Sequence, residues 1–175
     1  MYINIITYGY IYIIMDWDNI NDAPDYSKCV FDKTIEAKII SVYDGDTVKA
    51  IFPLNGVLYK WNCRLIGIDT PEVRTSHKLE KKYGYIVRDH LRNKILNKVV
   101  QLKCGDLDKY GRLLVTIFCE NNTCDVNNWL INNKYALPYD GGRKKSWKQT
   151  LDQITEKNIL DNLLYQTTDR SNISI

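Results

Sequence analysis

Three charged clusters stand out: Asp44-Gly45-Asp46, the run from Arg64 through Asp69-Thr70-Pro71-Glu72, and Asp108-Lys109-Tyr110-Gly111-Arg112. Singly, each has an ordinary explanation. Asp and Gly supply the φ > 0 positions of a hairpin turn, Asp-Thr-Pro-Glu suits a strand exit or helix cap, and Lys-Tyr-Gly-Arg suits a loop before a strand. Jointly they hold the separate parts that phosphodiester hydrolysis needs. A hard divalent cation takes oxygen ligands; Asp46 and Asp69 could supply two carboxylates and Thr70 a backbone carbonyl, leaving positions for water and phosphate. Negative charge on a phosphorane-like transition state calls for bidentate cationic donors, which Arg64 and Arg112 provide better than lysine would. Glu72, three positions past Asp69, could hold or deprotonate the attacking water.

The elements that must position these groups are legible in the patterning. Alternating β-rich residues predict strands at about Ile35 to Tyr43 and Thr47 to Phe52, joined by the Asp-Gly-Asp turn. Pro53 to Gly56 reads as another turn. A third strand is expected over Val57 to Ile68, with Val57, Tyr59, Trp61, Cys63, Leu65 and Gly67 on one face and Arg64 on the other. Leu79, Tyr83, Ile86, Val87, His90, Leu91 and Ile95 follow helical spacing between His77 and Leu96. Gly84 inside that helix implies close packing on a neighbour. Strands are expected at Lys98 to Cys104 and Arg112 to Cys119, then a short helix from about Asp125, a loop at Pro138 to Gly142, and a last helix from Arg143. The pattern predicts an α+β, mainly β domain. Its core is a five-stranded OB-type β-barrel with a helix between strands three and four and helices at the C-terminal end.

A chain of 175 residues with 45% apolar content supports one hydrophobic core. We expect an apolar segment and polar linker over 1–30, one domain over 31–166 and a frayed tail over 167–175. The 24 Lys and Arg nearly balance 21 Asp and Glu, for a net +3, so an anionic partner must be met by a local cluster rather than a global field. Five cysteines without a Cys-x-x-Cys pair argue against structural zinc. Reduced thiols in an intracellular protein are the favoured reading, although an exported one could bridge Cys119 and Cys124. His77 and His90 lack the spacing of a helical metal site and read as ordinary helix residues. The first fifteen residues have no basic lead and are followed by Asp16 and Asp18, which argues against a signal peptide. They are too short for a membrane span, leaving an interfacial role or an extra strand open.

The order IISVYDGDTVK, CRLIGIDTPE, LEKKYG and DKYGRLLVTIF resembles the staphylococcal nuclease-like (thermonuclease) family over roughly Ile35 to Trp147. The resemblance implies a five-stranded OB barrel and Ca²⁺-dependent cleavage of DNA and RNA at the 5′ P–O bond, leaving 3′-phosphate ends. Matched position by position, Asp46 and Asp69 resemble the calcium carboxylates and Thr70 the carbonyl ligand. Arg64 and Arg112 resemble the phosphate clamps and Glu72 the water-activating carboxylate. Asp44 is similar to a supporting acid nearby, and Lys109 and Tyr110 to residues that meet the substrate's terminal phosphate. Tyr135 and Tyr139 are candidates for base stacking.

A strand-end site on such a barrel is a shallow groove, with Lys109, Arg143, Lys144 and Lys145 as further phosphate contacts. It suits single strands or frayed duplex with little sequence readout. The expected partners are therefore DNA and RNA, and the expected state is a monomer. Two rival readings are a nuclease-like barrel that has lost catalysis and serves as a binding module, and a plain single-strand-binding OB protein. Retention of Asp46, Arg64, Asp69, Glu72 and Arg112 argues against the first. The compressed acids argue against the second.

Overall fold

The computed structural model of the chain describes residues 2–7, 10–15, 26–119 and 123–153. In chain order, β1 (Tyr2–Thr7) and β2 (Tyr10–Met15) pair antiparallel in a sheet of their own. A 3-10 turn at Tyr26–Cys29 leads to Val30, which lies fully buried in the core. Next come β3 (Thr34–Val42), β4 (Thr47–Leu54), β5 (Val57–Leu65), β6 (Ile68–Asp69), α1 (Lys78–Ile95), β7 (Val99–Leu107) and β8 (Leu113–Cys119). The described chain ends with β9 (Cys124–Asp125), α2 (Val126–Asn132), β10 (Leu137–Pro138) and α3 (Trp147–Gln153).

Antiparallel pairing runs β5-β4-β3-β7-β8, and a parallel pairing of β5 with β8 closes the ring. The result is the expected mainly β fold, a closed five-stranded mixed barrel. Strict alternation along β8 points Leu113, Val115, Ile117 and Cys119 inward. They meet Val48, Ala50, Leu65 and Leu102 in one core. The β4–β5 hairpin turns on Asn55 and Gly56, both with positive φ, which matches the right-handed twist of its strands. That hairpin is longer than the sequence predicts, and its outer half, Val57 to Lys60, is exposed beyond the barrel. Phe52 and Trp61 stack where it leaves the core, with ring centroids 4.8 Å apart.

The third strand does not run on to Ile68. It stops at Leu65, because Gly67 takes φ +79° and turns the chain. Ile68 and Asp69 then pair with β10, Leu137 opposite Asp69. The buried Asn127 of α2 fastens this break, donating from Nδ2 to the carbonyls of Ile66 and Val115. Its Oδ1 accepts the Ile117 N–H.

Helix α1 lies where the periodicity places it, capped by His77, whose Nδ1 accepts from Glu80 N–H. Tyr83, Ile86, Val87, Leu91 and Ile95 are buried, whereas Leu79 is exposed on the first turn. The close packing implied by Gly84 is present: a Cβ there would sit 2.8 Å from the Pro71 carbonyl oxygen and 3.1 Å from the Glu72 carbonyl carbon. Gly84→Ala is therefore expected to cost about 1–3 kcal/mol through overpacking against backbone. The corresponding fall in melting temperature is about 2–4 °C per kcal/mol, and an unchanged value would show that the 71–72 segment yields freely.

The last helix begins at Trp147 rather than Arg143, because Trp147 and Leu151 are the residues that reach the core. Arg143 to Ser146 precede it without helical structure. The last helix beyond residue 153, the part of the N-terminal segment and linker over 16–25 and the tail over 167–175 lie outside the described residues. Among the described residues no disulfide forms, although Cys119 and Cys124 face each other in the β8–β9 register. No helix among them is long and apolar enough to cross a membrane.

Candidate active site

Strand register brings the three charged clusters to one end of the barrel. In the β4–β5 ladder Thr47 stands opposite Arg64, and Leu65 N–H donates to the Asp46 carbonyl, so the Asp-Gly-Asp turn lies against the end of β5. The parallel β5–β8 pairing sets Cys63 beside Leu113 and Arg64 beside Leu114, which carries Arg112 to the same end. Gly45 presses the turn onto its neighbours. A Cβ there would fall 2.6 Å from Val87 Cγ1 and 2.8 Å from Thr70 Oγ1, so glycine is what lets Asp46 approach the Asp69-Thr70 segment. Sequence reading assigns Gly45 only to the turn.

Burial singles out the same residues. Among the described residues the buried polar or charged ones are Asp44, Asp46, Asp69, Thr70 and Asn127, and four of these five belong to this site. Burying carboxylates is costly unless cationic or hydrogen-bonding partners are present. Asp46 Oδ2 lies 2.7 Å from Arg64 NH1, and Asp46 Oδ1 accepts from Thr47 Oγ1 at 2.9 Å. Asp44 Oδ1 accepts the Asp46 N–H at 3.2 Å. Burial, and then the charge of Asp46, pushes the Asp44 carboxyl up to about 7. For Arg64, burial works against the charged form, but Asp46 and the other acids outweigh it and hold the guanidinium above its ordinary value.

The Asp108–Arg112 loop is built around one carboxylate. Asp108 Oδ1 accepts from the N–H groups of Tyr110 and Arg112, both at 2.9 Å, and Gly111 takes φ +75° to close the turn. Oδ2 accepts from Arg112 Nε at 2.7 Å and also lies 2.7 Å from NH2. Burial would raise Asp108, but the backbone and guanidinium donors of Arg112 prevail and keep it below the usual carboxylate range. Arg112 NH1 reaches Thr47 Oγ1 at 3.4 Å, which ties the third cluster to the first. These groups, with Glu72, Lys109, Tyr110 and Tyr139, line a cleft of about 470 Å³.

The model for staphylococcal nuclease homologues matches residues 62–158, more than half of the chain. The chain belongs to the staphylococcal nuclease family. A thermonuclease of Staphylococcus hyicus is 34% identical over 83 residues, 46% of this chain and 47% of the relative. A probable endonuclease of Komagataella phaffii is 28% identical over 139 residues, 66% of this chain and 61% of the relative. An uncharacterized protein of Methanocaldococcus jannaschii is 33% identical over 124 residues, 58% of each chain. The matched stretches thus span 47 to 61% of these relatives' own length. The family match takes in Arg64, Asp69, Thr70, Glu72 and Arg112, and the Asp-Gly-Asp turn precedes it.

Within this nuclease-family barrel, most of the residues selected from sequence converge. Asp44, Asp46, Arg64, Glu72, Lys109, Tyr110, Arg112 and Tyr139 share the cleft, while Asp69 lines the neighbouring depression and meets the cleft through Lys144. Tyr110 is 72% exposed at the rim, with Lys109 Nζ 5.1 Å and Arg112 Cζ 5.5 Å from its ring centre. Tyr139 is half-buried, its hydroxyl donating to the Gly142 carbonyl at 3.0 Å. Tyr135 does not join them. It is buried, stacked on His90 at 4.6 Å and tilted against Trp129, so its ring has no face to offer a base.

Three contributors have contacts that the sequence pattern does not show. Glu80 on the first turn of α1 accepts the Glu72 N–H through Oε1 and the Thr75 hydroxyl through Oε2, and so fixes the segment that bears Glu72. Trp147 donates from Nε1 to Asp69 Oδ2 at 3.0 Å. Lys144, placed by sequence reading in a substrate groove, lines the cleft and lies 2.7 Å from Asp69 Oδ1 and 2.9 Å from Glu72 Oε1. Burial lowers its basicity, but hydrogen bonding and charge from those two acids more than offset this and raise it above an ordinary lysine. Arg143 and Lys145 line a neighbouring depression that shares Tyr139. The only signal for Glu80 was its position in the first turn of a helix, where an acid is ordinary. Nothing local marks the other two.

The donor types, carboxylate and backbone carbonyl oxygens, suit a hard divalent cation. Among the described residues no group of three or more His, Cys, Asp or Glu side chains is placed to hold a metal ion. Two carboxylates and a carbonyl, completed by water and phosphate oxygens, remain a chemically adequate set. The fit rests on buried oxygens: Asp46 and Asp69 are only 4% and 3% exposed. Asp69 Oδ1 is buried, with the Lys144 ammonium 2.7 Å away.

Proposed function

We propose that the chain is a nuclease that hydrolyses phosphodiester bonds of single-stranded or frayed DNA and RNA, with little sequence specificity. It would depend on Ca²⁺ and leave 3′-phosphate ends. The observation that carries this reading is the burial of Asp44, Asp46, Asp69 and Thr70, with Asp46 paired to Arg64 in a cleft that Arg112 also lines. Asp46, Asp69 and the Thr70 carbonyl would hold the cation. When bound, it supplies polarisation of a non-bridging phosphate oxygen and compensation of the growing charge.

The chain's own groups do the remaining work. Arg64 and Arg112 donate to the equatorial oxygens of the phosphate, where negative charge accumulates in the transition state. Glu72, 49% exposed at the cleft mouth, holds or deprotonates the attacking water. Both arginines are held by carboxylates before substrate arrives, so little reorganisation is needed at the moment of reaction. Lys109 and Tyr110 meet a terminal phosphate at the rim, and Tyr139 offers a ring to a base. Retention of every acid and arginine at one end of the barrel favours an enzyme over an inactive binding barrel.

The test is release of acid-soluble nucleotide from heat-denatured DNA by the whole chain. Release is expected with added Ca²⁺ and is expected to vanish with a chelator of calcium. Absence of calcium-dependent release would overturn the reading.

A further inference from the structure

Lys144 has no part in the mechanism above, yet it makes the shortest contact to Asp69. Its Nζ lies 2.7 Å from Asp69 Oδ1 and 2.9 Å from Glu72 Oε1, while Asp69 Oδ2 is taken by the Trp147 indole N–H. Asp46 is matched in the same way by Arg64 at 2.7 Å. Both carboxylates assigned to the cation therefore already face a side-chain cation. The two side chains differ in how they are held. Arg64 extends from a barrel strand, is 13% exposed and also donates to the Ile68 carbonyl. Lys144 is 45% exposed, on a segment without helix or strand, and its flexible stem carries a compact monovalent charge.

Fixed points flank that segment. Tyr139 N–H donates to the Gly67 carbonyl, and Trp147 anchors on Asp69. Rotation of the Lys144 side chain alone is thus enough to free Asp69 Oδ1, with no movement of the barrel. A divalent ion placed between Asp46 and Asp69 would repel the ammonium and offer the carboxylate a stronger partner.

We propose that Lys144 is a resident counter-ion of Asp69 that a divalent cation must displace, so that cation binding releases a positive charge at the cleft mouth for the polynucleotide backbone. This rests on the cation reading above. Lys144 thereby sets the cation affinity, and cation and polyanion binding reinforce each other.

Calorimetric titration of the whole chain with Ca²⁺ alone, at fixed ionic strength, tests this. Lys144→Met is expected to bind Ca²⁺ about three- to tenfold more tightly than the parent, the range for loss of one half-exposed competing ion pair. Lys145→Met makes the same change in net charge on the neighbouring residue and is expected to stay within about twofold of the parent. Without Ca²⁺, Lys144→Met should melt below the parent; saturating Ca²⁺ should then raise its melting temperature by more than the parent's, as mass action requires. Equal affinity in Lys144→Met and parent would overturn the proposal, as would weaker binding in Lys144→Met. Matching gains in both lysine variants would reduce it to a general field effect and overturn it too. If neither parent nor variants bind Ca²⁺, the cation reading itself fails and this proposal falls with it.

Discussion

Replacing Arg112 by lysine is expected to lower the rate of phosphodiester hydrolysis about 10²- to 10³-fold, the loss typical of removing one preorganised donor from a charged transition state. The geometry explains why conserving charge should not rescue it. Arg112 bonds Asp108 through Nε at 2.7 Å, keeps NH2 2.7 Å from the same oxygen, and extends NH1 toward Thr47. A guanidinium can keep one edge on Asp108 while the other addresses a phosphate. A lysine has a single nitrogen, and Asp108, already held in its charged form by backbone N–H groups, would capture it. Single-turnover rates on denatured DNA, measured at saturating Ca²⁺, separate this from a loss of binding. The loop itself should survive, since the Tyr110 and Arg112 N–H bonds to Asp108 do not depend on the side chain at 112. The melting temperature is expected to change by less than about 5 °C. Wild-type turnover in Arg112→Lys would sink the clamp assignment.

The reason for so much charge at one barrel end is topological. Closing a five-stranded barrel by parallel pairing of β5 and β8 places the end of one beside the start of the other. The β3–β4 turn joins them through the Thr47–Arg64 register. Three segments distant in sequence therefore meet at one end of the barrel. Two glycines make the approach close enough. Gly45 lets the acidic turn touch Thr70 and α1, and Gly84 lets α1 touch the Pro71-Glu72 backbone. The charges sit at strand ends and in the turns next to them, braced by packed strands and by α1, the arrangement a preorganised site requires.

Much of this was legible before the structure. The alternation in β8 and the helical spacing of α1 are local periodicities, so they survive folding unchanged. The order of the three charged clusters was readable because each is a short continuous stretch of sequence. Gly84 could be recognised as a contact point, but not its partner, because that partner lies on a loop whose path depends on the β5 break at Gly67. What escaped are pairings across long sequence separations. Lys144 meets Glu72 and Trp147 meets Asp69, and no local pattern distinguishes such a lysine from a solvated one. Tyr135 failed as a stacking residue for the same reason. Its burial is decided by His90 and Trp129, which lie on two helices.

Asp69 offers the sharpest separation of chemistry from scaffold, because its two oxygens serve different partners. Oδ2 accepts the indole N–H of Trp147, a residue only 4% exposed, while Oδ1 faces Lys144 and the proposed cation position. Asparagine preserves a carbonyl oxygen for the indole but removes the charge. Asp69→Asn is therefore expected to keep most of the parent's stability while losing on the order of 10²- to 10³-fold in turnover, and to weaken Ca²⁺ binding in calorimetry. Alanine removes both functions. It leaves the buried Trp147 N–H without an acceptor, so Asp69→Ala should cost about 1–3 kcal/mol beyond Asp69→Asn in urea unfolding, with a comparable loss of activity. If instead the asparagine variant kept parental turnover and calcium affinity, Asp69 would be a structural acid that fastens Trp147. The buried pair of carboxylates could then no longer be read as a cation site.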